Sequence, residues 1–275
     1  MPNYELTGDL KVSFEPNVEV LKKTRMAPRS VLVTGANRGI GLGLVKRMLE
    51  NDGVELVIAG CRTPDQAKEL NDLKSDSRLH VIALDVDCDK SINNAFEQVS
   101  KLVGEHGLTV LLNNAGILLP YDVEGEINRS TMIRQLTTNS ISTAILTQTF
   151  LPLLKKSAES EKKEGYSVDK AAIINISSTA ASVEKIDGTF NGPLAAYRMS
   201  KSALNSFAKT CSVDLAKYHI LVTSFCPGWV RTDMGGSNAD IEIDESTKQL
   251  AETIFRLDGS NHGGYYDRFL TKIPN

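Results

Sequence analysis

Cysteine and histidine are scarce, four of each in 275 residues. The cysteines, Cys61, Cys88, Cys211 and Cys226, are widely separated and form no CxxC pair, which argues against a disulfide framework and a structural zinc site. Neither sign of charge dominates: 31 lysines and arginines face 34 aspartates and glutamates, a net charge of −3. Without a basic excess there is no general grip for polyanions, and no nucleic-acid partner is expected. The Lys-Lys runs at 155 and 162 are mixed with glutamates and read as solvated charge. No stretch reaches the ~18 continuous apolar residues of a membrane span. The first residues, MPNYELTGDLKVSFEPNVEV, hold no basic region followed by an apolar run. The expected location is cytoplasmic, with no membrane partner.

What the chain does have is apolar material, 41% of it, enough for a large core. At about 150 residues per domain the length suggests roughly two domains, though an α/β fold of this size commonly forms one. Residues 1–27 are interrupted by Gly8 and Pro16 and read as an extension with a short strand; residues 28–275 read as a single domain. From Arg29 onward, short apolar runs alternate with segments of helical spacing. SVLVTG, ELVIAGCR, LHVIALDV, TVLLNNAG, AAIINISS and HILVTSFCPG read as strands, and GGYYDR as a short closing strand. Helices are expected from Gly39, over TPDQAKELNDLKSD, KSINNAFEQVSKLVGEHG, residues 128–156, residues 196–217 and DESTKQLAETIFRL. The strands are rich in Val, Ile and Leu without strict alternation, as in strands covered on both faces. An α/β fold with a doubly wound parallel sheet follows.

The first strand runs into Thr34-Gly35-Ala36-Asn37-Arg38-Gly39-Ile40-Gly41. Glycine at 35 permits a tight turn, and glycines at 39 and 41 allow a dinucleotide pyrophosphate and the helix backbone to approach closely. The second strand ends Ala59-Gly60-Cys61-Arg62, with no acid to bind an adenosine ribose, whereas Arg38 and Arg62 offer guanidinium forks for a 2′-phosphate. NADP(H) is therefore expected over NAD(H). Asp85, beside Val86 at the end of the third strand, is placed to accept from the adenine amino group or to cap a turn. Further on, Tyr197 and Lys201 stand four apart in an expected helix and share a face. A neighbouring ammonium favours phenolate, so this spacing predicts a lowered tyrosine pKa.

With these motifs in order, the chain resembles a short-chain dehydrogenase/reductase, and among them the small carbonyl reductases related to the fruit-fly Sniffer protein. The likeness covers about residues 29 to 270. It rests on the glycine turn, on Asn113-Asn114-Ala115-Gly116 and on Tyr197-x-x-x-Lys201. The resemblance implies a Rossmann-type three-layer sandwich and a catalytic set of Asn139, Ser178, Tyr197 and Lys201. Ser177 is the alternative to Ser178 within Ser177-Ser178-Thr179. It also implies cofactor contacts from Gly35, Asn37, Arg38, Gly39, Ile40, Gly41, Arg62, Asp85, Val86, Asn113, Ala115, Gly116, Tyr197 and Lys201. Pro227-Gly228-Trp229-Val230-Arg231-Thr232 resembles the family's segment against the nicotinamide, with Pro227, Gly228 and Val230 beside it and Thr232 on the carboxamide.

Two features depart from the family pattern. Ser178 stands 19 positions before Tyr197 where about a dozen is usual, so VEKIDGTFNGPLA carries an insertion. Ala180 and Ala181 occupy the place of the usual glycine. Met234 to Glu245, with Gly235 and Gly236, reads as a mobile substrate lid too short for a large substrate. Trp229 reads as a pocket wall or a core aromatic, Cys226 as a small buried hydrophobe and Cys211 as core-facing.

The implied activity is reduction of a small aldehyde or ketone by NADPH. Alternatives are an NAD(P)-dependent secondary-alcohol dehydrogenase and a cofactor-binding sensor or scaffold with little turnover. The resemblance also implies a homodimer or homotetramer, built through the helices near 128–156 and 196–217.

Overall fold

The computed structural model describes residues 26–161, 164–186 and 192–275. The short strand expected in the N-terminal extension, the Lys-Lys pair at 162 and the middle of the loop before Tyr197 lie outside the described residues. Strands β1 (Ser30–Thr34), β2 (Leu56–Cys61), β3 (Leu79–Ala83), β4 (Val110–Asn113), β5 (Ala172–Ile176), β6 (Leu221–Cys226) and β7 (Gly264–Asp267) form one sheet. Their order is β3-β2-β1-β4-β5-β6-β7, and every neighbouring pair is parallel. This is the doubly wound Rossmann-type sandwich.

The alternation of side chains along each strand builds two cores. Val31, Val33, Val57, Ala59, Leu112 and Ile174 face one layer, with Leu44, Val45 and Met48 of α1 (Gly39–Leu49) and Leu250 and Ile254 of α7 (Ile243–Ile254). Leu32, Ile58, Leu111, Ile173 and Val222 face the other, with Ile92 and Val99 of α3 (Asp89–Val103), Phe150 and Leu154 of α5 (Ser142–Ser160) and Cys211 of α6 (Ala195–Asp214). Both faces of the sheet are therefore dry, which explains the continuous apolar reading of the strands. Burying one large side chain such as Phe150 contributes about 1.5–3 kcal/mol.

Two helices differ from their sequence expectation. The stretch expected as one helix over TPDQAKELNDLKSD is a 3₁₀ turn at Pro64–Gln66 followed by the four-residue α2 (Lys68–Asn71). Only Leu70 of it is fully buried, so little apolar packing holds a longer helix. The expected helix over 128–156 is α4 (Arg129–Leu136), a π-helical turn at Thr137–Ile141, then α5. The wide turn buries Thr138, Asn139 and Ser140 together, a feature that helical periodicity does not carry.

The order of strands reverses between β1 and β4. In an open parallel sheet, a crevice forms there at the carboxyl ends of the strands. The glycine turn follows β1, and the Asn-Asn-Ala-Gly segment follows β4. Among the described residues no helix is long and apolar enough to cross a membrane, and no group of His, Cys, Asp and Glu is arranged to hold a metal.

Candidate active site

The glycine turn joins β1 to α1 with Gly35 at φ +65° and Gly39 at φ +55°, the left-handed region that glycine occupies without strain. Gly41 is needed by the turn itself, apart from any approach of a pyrophosphate: a Cβ there would lie 2.2 Å from the Gly35 carbonyl oxygen. The turn is folded onto itself. Asn114 locks it by donating from Nδ2 to the Thr34 carbonyl at 2.9 Å, while the Thr34 hydroxyl accepts from the Asn114 and Ala115 amides at 3.0 Å each. The first turn of α1 contains no acid, and its N-cap residue, Arg38, makes no side-chain cap. The opening N–H groups of a helix have no acceptor within it, so this end suits an anionic group.

Around the turn, the other expected cofactor residues divide. Arg38 and Arg62 are both exposed, and Arg38 Nη1 pairs with Asp233 at 2.7 Å. Asp85 accepts the Asp87 amide through Oδ1 at 3.2 Å, so one of its oxygens caps the turn. Val86 is half-buried beside it. Asn113 points its amide into the sheet interior, donating to Asn175 Oδ1 at 3.0 Å and to the Thr147 hydroxyl at 3.4 Å. Its side chain is a tie between strands, opposite Asn175 in register.

Tyr197 and Lys201 lie one turn apart on α6, and both are buried. The Ser178 hydroxyl, just beyond β5, lies beside the Tyr197 phenol oxygen. Ser177, one residue earlier, has its hydroxyl near that of Tyr265. Lys201 Nζ donates to the Ile176 carbonyl at 2.8 Å and stands 5.9 Å from the centre of the Tyr197 ring. The expected lowering of the tyrosine pKa does not occur. Burial dominates and pushes Tyr197 up to about 12, against the smaller opposite pull of the Ser178 hydroxyl. The same burial pushes Lys201 down to about 8. In this dry pocket desolvation outweighs the attraction that helical spacing suggests.

Asn139 faces the same place from the π turn. Its Oδ1 accepts the Ile117 amide at 2.8 Å, and its Nδ2 donates to the Ile117 carbonyl and the Ser200 hydroxyl at 2.9 Å each. A Cβ on Gly116 would sit 3.1 Å from Asn139 Oδ1 and 3.5 Å from Lys201 Nζ, so these three residues converge.

On the far wall, Pro227 and Val230 are buried and Gly228 has φ +88°. Thr232 reaches across to the glycine turn, where a Cβ on Gly39 would meet its methyl group at 3.4 Å. The segment read as a lid is tied down. Arg231 donates to the Ser237 and Ala239 carbonyls and pairs with Glu242, while the Trp229 indole N–H donates to the Gly235 carbonyl at 2.8 Å. Trp229 is half exposed rather than a core aromatic. Cys226 is more than a small hydrophobe, because its sulfur accepts from the Thr179 hydroxyl at 3.0 Å and the Gly228 amide at 3.4 Å.

A family profile described as short chain dehydrogenase matches residues 29–242. The chain belongs to the short-chain dehydrogenase family. Its fold is close to that of the carbonyl reductase Sniffer of D. melanogaster, with 38% identity and a TM-score of 0.85 over 90% of this chain and all of the other. It is equally close to an NADPH-bound carbonyl reductase from chicken fatty liver, with 37% identity and a TM-score of 0.87 over 91% of this chain and 95% of the other. An uncharacterised oxidoreductase of Schizosaccharomyces pombe is 31% identical over 88% of this chain and 96% of its own length.

In this short-chain dehydrogenase the sequence reading passed over several polar residues. Gln135, four before Asn139, is fully buried and clamps the same segment, accepting the Leu119 amide at 2.7 Å and donating to the Ile117 carbonyl at 2.5 Å. Its spacing from Asn139 was the available signal. Ser200 bridges Asn139 to the Tyr197 carbonyl, to which it donates at 2.8 Å. Tyr265 had no sequence signal, since only the pairing of β7 with β6 brings it to the site.

Proposed function

We propose that this protein reduces the aldehyde or ketone group of small carbonyl compounds with NADPH. One observation carries the reading: Ser178, Tyr197 and Lys201 converge beyond the carboxyl end of β5, next to the crevice opened by the glycine turn. Family membership and the likeness to carbonyl reductases support it.

The residues present fit a phosphorylated dinucleotide. The glycine turn of Gly35, Asn37, Gly39, Ile40 and Gly41 gives backbone N–H groups for its pyrophosphate. Arg38 and Arg62 supply charge for a 2′-phosphate, with no acid at the end of β2, and Arg38 would exchange its Asp233 partner for the phosphate. Asp85 and Val86 would flank the adenine, and Asn113, Ala115 and Gly116 the nicotinamide side through their backbone. Pro227, Gly228, Val230 and Thr232 would line the nicotinamide. When bound, NADPH supplies the hydride that adds to the carbonyl carbon.

The chain's own work is positioning and proton transfer. Tyr197, kept protonated by its burial, donates its phenolic proton to the oxygen of the developing alkoxide. Ser178 orients the Tyr197 oxygen and hydrogen-bonds the substrate oxygen, stabilising its charge as it grows. Lys201, mostly charged at neutral pH, stabilises the phenolate left behind and would hold the nicotinamide ribose of a bound cofactor. Asn139, fixed by three hydrogen bonds, keeps the Ile117 segment in place beside Lys201, where a proton returns to Tyr197.

The likeness to carbonyl reductases is what favours reduction over alcohol oxidation as the reading. NADPH-oxidation kinetics across small aldehydes, diketones, quinones and steroids test the assignment, alongside Tyr197→Phe. Turnover of small carbonyls is expected in the native protein, with a loss on the order of 10²–10⁴-fold in the variant while NADPH still binds. Full activity of Tyr197→Phe would sink the reading.

A further inference from the structure

Ser178 leaves β5 at a point where the sheet no longer holds the chain. The Ser177 amide makes the last bond to β6, donating to the Phe225 carbonyl at 2.7 Å. Beyond it the Ser178 carbonyl is met by the hydroxyl of Tyr265, which donates to it. Tyr265 belongs to β7, opposite Ser224 of β6, and its side chain is buried. The same peptide sets the direction of the Ser178 side chain, whose oxygen accepts the Ala180 amide at 3.2 Å and whose hydroxyl reaches Tyr197.

The Tyr265 hydroxyl stands among polar side chains, near those of Asn205 and Ser177. Both polar atoms of the Asn205 amide and the Ser177 hydroxyl are buried and make no hydrogen bond among the described residues. Buried polar groups of this kind are costly unless they are used, and all of them converge on one hydroxyl. Asn205 stands four residues after Lys201 and eight after Tyr197, so one face of α6 carries the proton donor, its cation and a neighbour of Tyr265.

We propose that Tyr265 is a positioning residue: through the Ser178 carbonyl it aims the Ser178 hydroxyl at Tyr197, with the polar side chains of Asn205 and Ser177 packed beside it. The inference rests on the carbonyl-reductase reading, because it assigns Tyr265 a role in that site. Ser177 thereby acts behind the reacting groups rather than among them.

The test compares Tyr265→Phe, Ser178→Ala and their double variant, with NADPH and 4-nitrobenzaldehyde as substrates. Tyr265→Phe is expected to lower kcat about tenfold while NADPH affinity stays within about twofold, since Tyr265 touches no part of the cofactor cradle. In the Ser178→Ala background the same change is expected to cost less than about twofold, because the residue it aims is gone. A merely structural role would give losses that multiply, and that result overturns the proposal. So does a Tyr265→Phe variant with native kcat. Asn205→Leu provides a second arm should Tyr265→Phe fail to fold. It is expected to lower kcat about threefold and to show the same insensitivity in the Ser178→Ala background, and multiplying losses there overturn the proposal equally. If the native protein does not turn over, the carbonyl-reductase reading itself fails. If the native protein turns over and Tyr197→Phe does not, a failure of Tyr265→Phe counts against the positioning role alone.

Discussion

Lys201 Nζ stands 5.9 Å from the centre of the Tyr197 ring and spends a hydrogen bond on the Ile176 carbonyl at 2.8 Å. The two side chains are neighbours on α6, yet burial drives their pKa values apart, up to about 12 for the phenol and down to about 8 for the ammonium. A pH profile follows. Tyr197 remains an acid throughout the neutral range, and Lys201 is charged below about pH 8 and neutral above it. The value of kcat/KM for NADPH, which reports groups of the unliganded enzyme, is expected to be level up to that point and to fall as pH rises through it. A level profile to about pH 10 would detach Lys201 from the alkaline limb.

Gly41 has its own test. Since a Cβ there would lie 2.2 Å from a backbone oxygen that has no freedom to move, Gly41→Ala distorts the turn rather than a side chain. A stability loss of about 1–3 kcal/mol is expected from such overpacking. NADPH binding should weaken by more than tenfold. Denaturant unfolding and fluorescence titration measure the two effects, and native values for both would remove the steric argument.

Arg38 and Arg62 are expected to set cofactor preference. Each would make a charge-assisted contact to the cofactor only if a 2′-phosphate is there to accept it, a difference of about 1.5–3 kcal/mol. Arg38→Ala and Arg62→Ala should therefore raise KM for NADPH about tenfold or more and leave KM for NADH nearly unchanged. Arg38 is paired with Asp233 in this structure, so Asp233→Asn is expected to free it and to tighten NADPH. Equal effects on the two cofactors would exclude the 2′-phosphate as the arginines' partner.

Away from the site, His262 stacks on Tyr166 with ring centres 4.1 Å apart, accepts the Val222 amide at 3.3 Å through Nδ1, and lies 2.8 Å from the Ser212 carbonyl through Nε2. Both contacts suit the neutral ring, with the proton on Nε2. Burial, the largest cause, lowers its pKa below the ordinary 6.5, and nearby Lys209 adds to this against the Ser212 contact. Because the folded pKa lies below the unfolded one, the unfolded chain binds more protons between them. Stability is full above about pH 6.5 and declines as pH falls from there toward the folded value. Thermal unfolding from pH 8 to 5 should show a loss that His262→Asn reduces, and an identical pH dependence in that variant would count against the role.

Much of this protein could be read from the chain because its signals are local. The glycine turn needs residues free to adopt positive φ, a helix places Tyr197 and Lys201 on one face by spacing alone, and two-sided burial writes the strands as continuous apolar runs. The doubly wound parallel sheet and the family likeness follow from those elements in sequence.

What only the tertiary structure decided depends on contacts between distant segments. The lowered tyrosine pKa expected from an adjacent lysine was overruled by burial, which is a property of everything packed around Tyr197 and not of α6. Which of the Ser177 and Ser178 hydroxyls lies by Tyr197 depends on how β6 and β7 hold the end of β5, which two adjacent serines in sequence leave open. Gly41 proved to serve the fold of the turn itself, and Asn113 a tie to Asn175 across the sheet. A sequence fixes backbone preference and the period of its side chains; desolvation and the aim of a hydroxyl are fixed by neighbours that arrive only when the chain has closed.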